Sequence, residues 1–317
     1  MKELVVISGK GGTGKTSVVA SFAALAKNKV LADCDVDAAD LHLVLSPQIV
    51  RREEFSGGKS AVVAADKCIG CGKCISVCRF DAISFDGPAN DVVGKTYRID
   101  PIACEGCGVC AYFCPVDAVN LSPSVNGEWF ISETRHGPMV HAKLGIAEEN
   151  SGKLVTTIRR EAKRIAEERG LDMVIIDGSP GIGCPVIASI TGASLVLIVT
   201  EPTLSGLHDL DRVADLAGHF DIPTAVCVNK SDINPHMTAM IRDRCQQRNI
   251  EMLGEIRYDT AVTRAQIEKE SVVEYNNGPA SGDIRSLWNA VTRRLASVGQ
   301  QLTERTARTN ENRNTNR

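Results

Sequence analysis

The chain has 317 residues, 36 of them Lys or Arg and 39 Asp or Glu. Its formal charge of −3 offers no general attraction for nucleic acid or an anionic membrane, and its length suits one large or two modest domains. No apolar run is long enough to span a bilayer, and Met1-Lys2-Glu3-Leu4 runs straight into a strand rather than an export signal, so a cytoplasmic location without stable membrane association is expected.

Leu4-Val5-Val6-Ile7 reads as a buried parallel strand that ends in glycines, with a helix expected from about Thr13 to Lys27. Further strands are expected at Val30 to Asp33, Asp172 to Asp177, Ser194 to Thr200, Thr224 to Asn229 and Glu251 to Ile256. Helical patterns separate them. Leu154, Ile158, Ala162 and Ile165 share one face, as do Ile284, Leu287, Trp288, Val291 and Leu295. Strands alternating with helices imply an α/β class: a mainly parallel, doubly wound sheet covered on both faces.

The rhythm breaks over residues 56–123, which hold eight of the twelve cysteines. Cys68, Cys71, Cys74 and Cys78 repeat as Cys104, Cys107, Cys110 and Cys114, and Asp81-Ala82-Ile83 is echoed by Asp117-Ala118-Val119. Each run has the spacing with which bacterial ferredoxins hold [4Fe–4S] clusters. Zinc is the competing metal, but two evenly spaced sets of four favour iron. The segment is read as an inserted α+β, bacterial-ferredoxin-like domain, with residues 1–55 and 124–300 forming the host. A small hairpin is expected at re-entry, around Asn126-Gly127 and Trp129-Phe130-Ile131-Ser132, and the polar tail 301–317 is expected to be disordered. In the ferredoxin arrangement the fourth cysteine of each run reaches the other cluster. Cys68, Cys71, Cys74 and Cys114 would hold one cluster, and Cys104, Cys107, Cys110 and Cys78 the other. Arg79 stands where the proline after Cys78 would be expected, whereas Pro115 follows Cys114.

Gly9-Lys10-Gly11-Gly12-Thr13-Gly14-Lys15-Thr16, followed by Ser17, is a phosphate loop between a strand and a helix. Glycines let backbone N–H groups face the phosphates, and the helix N-terminus adds positive potential. Lys15 is the candidate for the β- and γ-phosphates, and Thr16 for Mg²⁺. Acidic side chains follow two strands, as Asp33-Cys34-Asp35-Val36-Asp37 and as Asp177-Gly178-Ser179-Pro180-Gly181. Strand ends are where ligands bind in such sheets. Asn229-Lys230-Ser231-Asp232 spells a guanine-reading motif and keeps GTP open.

The run from Lys10 to Thr16 resembles the deviant phosphate loop of the MinD/ParA and nitrogenase iron protein superfamily, here carrying an inserted two-cluster ferredoxin domain. The resemblance favours ATP. It implies a nucleotide-dependent homodimer in which Lys10 reaches the partner's nucleotide. It also implies that Asp35 orients the attacking water and approaches Mg²⁺, with Asp37 and Asp40 as alternatives, that Asp177 holds Mg²⁺ through water, and that Asn229 contacts adenine. Ile256-Arg257-Tyr258-Asp259 departs from the family's Ile-Pro-Tyr-Asp at Arg257. The expected function is an ATPase coupled to electron transfer through two [4Fe–4S] clusters, with an unidentified redox protein as donor or acceptor. Iron–sulfur delivery and redox-sensing positioning are the alternatives.

Overall fold

The computed structural model describes residues 1–145 and 151–314, with side chains through Val298. The chain divides into two compact units. The first comprises Met1–Arg52, Trp129–Lys143 and the chain from Ser151; the second comprises Glu53–Glu128 and the chain from Leu144. The second unit thus begins three residues before the expected insert boundary and continues five beyond it.

In chain order the first unit opens with β1 (Lys2–Ser8), α1 (Lys15–Leu25), β2 (Lys29–Asp33), α2 (Leu41–Leu45) and β3 (Gln48–Phe55), the last running into the second unit. The second unit supplies β4 (Gly58–Val63), α3 (Lys73–Val77), β5 (Ile83–Gly87), β6 (Thr96–Ile99), α4 (Val109–Tyr112) and β7 (Val119–Ser124). The chain returns through β8 (Gly127–Thr134) and β9 (Gly137–Leu144), then continues as α5 (Ser151–Arg169), β10 (Met173–Pro180), α6 (Cys184–Ile190) and β11 (Leu195–Thr200). It ends with α7 (Leu204–His219), β12 (Thr224–Asn229), α8 (Pro235–Gln247), β13 (Glu251–Ile256), α9 (Ala261–Ile267), α10 (Val272–Tyr275) and α11 (Pro279–Asn314).

Nine strands form one sheet, in the order β13-β12-β11-β1-β10-β2-β9-β8-β3. Every pair from β13 to β9 is parallel. The central strands β1, β2, β10 and β11 are buried on both faces and read as nearly continuous apolar runs. Leu4, Val6, Leu31, Ile175 and Leu197 pack on one side against α1 and α11, where the Phe22 and Trp288 rings lie 4.9 Å apart. Helix α1 is apolar around most of its circumference because it lies between the sheet and this outer layer. Ile284, Leu287, Val291 and Leu295 of α11 are buried in the same core.

Two expectations are modified. Trp129 to Ser132 belong to β8, which joins the main sheet, and its hairpin turn with β9 falls at Arg135-His136 instead of Asn126-Gly127. The backbone of α11 stays helical to Asn314 although the tail has few apolar residues. An anchored helix extends by propagation, which avoids the cost of nucleation.

The second unit shows the sequence duplication in its backbone. Gly70 and Gly106 have φ of 65° and 61°, Gly72 and Gly108 both 77°, and Asp81 and Asp117 51° and 50°. Each half contributes one strand to the antiparallel pair β4–β7 and one to β5–β6.

Beside α2, a column of rings crosses the first unit. His42 stacks on His141 of β9 at 6.4 Å, His141 on Phe130 of β8 at 5.0 Å, and the Arg52 guanidinium lies 5.7 Å from the Phe130 ring. His141 Nε2 also pairs with Ser132 Oγ at 2.9 Å. Burial and then the nearby His42 push His141 down to about 4. Its neutral form is favoured by folding, so stability is lost as pH falls from the unfolded value toward the folded one. Chemical denaturation between pH 6.5 and pH 4 is expected to show a loss of up to about 3 kcal/mol that His141→Gln lacks.

Candidate functional site

The phosphate loop occupies the turn from β1 into α1. Gly12 and Gly14 have φ of 80° and 86°, a region that only glycine enters cheaply. A Cβ on Gly9 would lie 2.2 Å from Asp209 Cβ, and one on Gly14 would lie 2.3 Å from Asn229 Nδ2. The helix starts at Lys15, two residues after the expected Thr13, because Gly14 takes the left-handed cap position. Gly11, Gly12, Thr13, Gly14, Lys15, Thr16 and Ser17 line a cleft of about 470 Å³ together with Asp35, Asp40, Asn229, Arg257, Tyr258, Asp259 and Gln266.

Lys15 is buried at the base of this cleft. Its Nζ lies 2.5 Å from Asp177 Oδ1 and 3.3 Å from Asp35 Oδ2. Burial works against the ammonium, but the two carboxylates outweigh it and raise its pKa above the ordinary lysine value. The sheet order creates this meeting. β10 lies between β1 and β2, and Asp177 stands in register with Asp33. Sequence reasoning assigned no role to Asp33. It is fully buried, and its carboxylate accepts the N–H groups of Asp35 at 3.2 Å and Leu41 at 3.3 Å, shaping the loop that carries Asp35. The signal was the alternation of three aspartates at one strand end. Burial and then Asp177 push Asp33 well above the usual carboxylate range, against the pull of Lys15. Asp35 is raised by burial, also against Lys15. Asp37 is exposed, while Asp40 lines the cleft.

Thr13 Oγ1 and Asp177 Oδ2 are buried without a hydrogen-bond partner. A nucleotide phosphate and its Mg²⁺ fit these vacant valences: an O–H donor for the first and a cation for the second. Lys10 Nζ lies 2.7 Å from Glu201 Oε1 and donates to Ser205 Oγ at 2.9 Å, within its own chain. Lys230 Nζ meets Glu201 Oε2 at 3.3 Å and the Gly12 carbonyl at 3.3 Å. Glu201 therefore holds both lysines, and burial notwithstanding, they keep its pKa below the usual value. Asn229 Nδ2 donates to the Thr13 carbonyl at 2.8 Å, so it braces the loop from the base end of the cleft. Asp232 accepts the Tyr258 N–H at 2.7 Å, and Arg257 forks onto Asp283 at 2.8 Å for each of two N–H groups.

The second unit brings its cysteines together across the duplication. Cys68, Cys71, Cys74 and Cys114 line one cavity, and Cys78, Cys104, Cys107 and Cys110 line another. The remaining walls are mostly apolar: Val63, Ile69, Val116 and Val119 in the first, and Ala61, Val77, Phe80, Ile83 and Ile99 in the second. Four soft sulfur donors around an apolar cavity suit iron–sulfur clusters. A Cβ on Gly106 would lie 1.8 Å from the Lys59 carbonyl oxygen, so the second loop closes only with glycine there. Of the other four cysteines, Cys34, Cys227 and Cys245 are buried and Cys184 is exposed. Among the described residues no helix is long and apolar enough to cross a membrane.

Comparison with known proteins matches residues 67–118 to a 4Fe–4S dicluster domain family. An uncharacterised protein of Methanocaldococcus jannaschii is 37% identical over 242 residues, covering 73% of this chain and 79% of that one. The cell-division ATPase MinD of Pyrococcus furiosus superposes with a TM-score of 0.56 at 16% identity, over 92% of this chain and 98% of its own. MinD of Pyrococcus horikoshii, solved with Mg-ADP, gives 0.55 at 16% identity, over 92% and 95%.

Two outcomes test the geometry. Lys15→Met leaves the buried aspartates without their cation. Denaturation of the nucleotide-free protein is expected to show a loss of about 3–5 kcal/mol, and calorimetry no ATP binding. Cys114→Ser is expected to lower iron from about eight to about four atoms per chain, sparing the set that includes Cys78. Adding Cys74→Ser to Cys114→Ser is expected to remove no further iron, since both line the same cavity; further loss would contradict the crossed grouping.

Proposed function

Because the chain belongs to the family of the M. jannaschii protein, and joins a MinD/ParA-type P-loop fold to a 4Fe–4S dicluster domain, we propose that it is an iron–sulfur ATPase whose nucleotide state controls electron transfer. The carrying observation is Lys15, whose ammonium is paired with Asp177 and Asp35 at the phosphate loop. The β- and γ-phosphates would draw Lys15 onto their oxygens. Asp177 would then be free to join Thr16 in holding Mg²⁺, and Asp35 to orient the attacking water. Both strand ends lead into glycine-containing or turn-forming loops, so a change of partner at Lys15 is felt in each.

Lys10 has to leave Glu201 and Ser205 before it can reach a nucleotide in a second copy, which ties its action to dimerisation. In that position it would stabilise negative charge on the transferred phosphoryl group, as an arginine finger does. ATP is favoured over GTP because Asp232, the residue that would read guanine, already accepts the Tyr258 N–H. The two cysteine sets would hold two [4Fe–4S] clusters, which supply one-electron chemistry when bound. The chain's own contribution is to keep the sulfurs in apolar cavities, where solvent exposure and hydrogen bonding tune the potential. One such bond is the Ala118 N–H to Cys114 Sγ at 3.2 Å.

Anaerobic stopped-flow reoxidation of the reduced protein, with and without Mg-ATP, tests the coupling. Wild type is expected to change rate with ATP, and Lys10→Ala to lose the change while keeping its iron. Equal rates and equal midpoint potentials with and without ATP would overturn the reading.

A further inference from the structure

The duplication in the second unit provides an internal control for its surface. Residues 36 positions apart in sequence have matching backbone conformations, as at Gly70/Gly106, Gly72/Gly108 and Asp81/Asp117, so differences between equivalent side chains are not imposed by the fold. The two cysteine loops differ sharply. Lys67 precedes Cys68 and Lys73 precedes Cys74; their equivalents are Ala103 and Val109. Asp66 becomes Ile102, Ser76 becomes Tyr112 and Arg79 becomes Pro115. Over residues 64–82 the first half has three cations (Lys67, Lys73, Arg79) and two anions (Asp66, Asp81). Over 100–118 the second half has no cation and three anions, Asp100, Glu105 and Asp117.

These side chains are at the surface. Lys67, Lys73 and Cys71 are exposed, and Lys73 lines the cavity of Cys68, Cys71, Cys74 and Cys114. Neither lysine forms an ion pair among the described residues. The equivalent second-half surface is apolar, with Ile102 78% and Tyr112 86% exposed. A long cationic side chain at a rim contributes little to folding, so its value lies in what approaches it. Charge at a rim acts mainly on encounter rate and orientation.

We infer that the first cysteine loop, through Lys67 and Lys73, is the docking face for a small acidic one-electron carrier protein. This rests on the electron-transfer reading above. The carrier is bound with its anionic surface toward the two lysines, beside exposed Cys71. Cys68, Cys71, Cys74 and Cys114 would hold the cluster that accepts one electron, and the carrier's reduced centre would be oxidised by that one electron. The apolar, anionic second loop does not attract such a carrier.

The test uses the full-length, cluster-loaded protein without nucleotide and a reduced acidic flavodoxin as the probe, followed by anaerobic stopped flow over a range of NaCl concentrations. The wild-type second-order rate is expected to fall as salt rises. Lys67→Glu with Lys73→Glu is expected to slow it about tenfold at low salt and to abolish or invert the salt slope. Calorimetric titration with oxidised flavodoxin is expected to show the same loss in Kd. Glu105→Lys, on the second loop, is expected to leave both readouts near wild type. Full reduction by dithionite in every variant establishes that the clusters are intact and separates a docking defect from cluster loss. A salt-independent wild-type rate, an unchanged double variant, or a larger effect from Glu105→Lys would overturn the assignment. Failure of dithionite to reduce wild type would instead overturn the electron-transfer reading beneath it.

Discussion

A lysine ammonium buried at the C-terminal edge of a parallel sheet is the constraint around which the first unit is arranged. Such a charge is tolerated only when it is paired and hydrogen-bonded. Lys15 comes from the turn after β1, whereas its partners follow β2 and β10, strands far apart in sequence. The non-consecutive order β1-β10-β2 is what brings them together. The site nevertheless holds more potential negative charge than positive. Lys15 faces Asp177 and Asp35, with Asp33 behind them, and Asp33 meets the imbalance by binding its proton more tightly. A site with one buried cation and surplus carboxylate oxygens has the donor and acceptor chemistry that phosphate and a divalent cation would use.

The second unit meets the opposite problem, having too little to bury. Its core consists of Ala61, Cys74, Ile83, Ile99, Cys110 and Val119, so two of its six buried members are themselves cysteines of the two sets. Small domains with cores of this size need covalent or metal staples. The same sulfurs that pack the centre also line the cavities, so metal binding and folding are coupled in this unit. Left-handed backbone recurs at the same places in both halves because each loop must curl its sulfurs inward.

Much of this arrangement is legible in the sequence because it is carried by local signals. Strand β11 is the clearest case: Leu195–Thr200 is buried throughout and reads as an apolar run, since a parallel strand covered on both faces has few polar residues to interrupt it. The grouping of Cys114 with the first three cysteines and of Cys78 with the next three follows from spacing together with the duplication. What sequence cannot display is contact between distant segments. Asp33 looked like one member of an acidic run until its register with Asp177 placed it behind Lys15. Glu201 gave no sign that it would hold Lys10 and Lys230 together, because that pairing depends on the β11–α7 turn lying beside the phosphate loop. The hairpin at Arg135-His136 was obscured because Asn126-Gly127 is the stronger turn signal; there the Asn126 side chain instead accepts the N–H groups of Gly57 and Gly58.

The position of the second unit within the chain bears on how nucleotide and redox chemistry would communicate. It is inserted after α2, which follows the Asp33–Asp40 loop, and the chain returns through β8 and β9 before reaching Asp177 on β10. The Asp33–Asp40 loop is thus close in sequence to the first crossing, whereas helix α5 separates Asp177 from the last one. In the first unit β9 pairs with β2 through Leu31–Met139 and Ala32–Val140, just before the strand end that carries Asp33. The ring column from His42 through His141 and Phe130 to Arg52 ends at the last residue before one crossing. Coupling requires that contacts differ in energy between two states. Because α2 carries His42, any displacement of α2 would alter the His42–His141 stack.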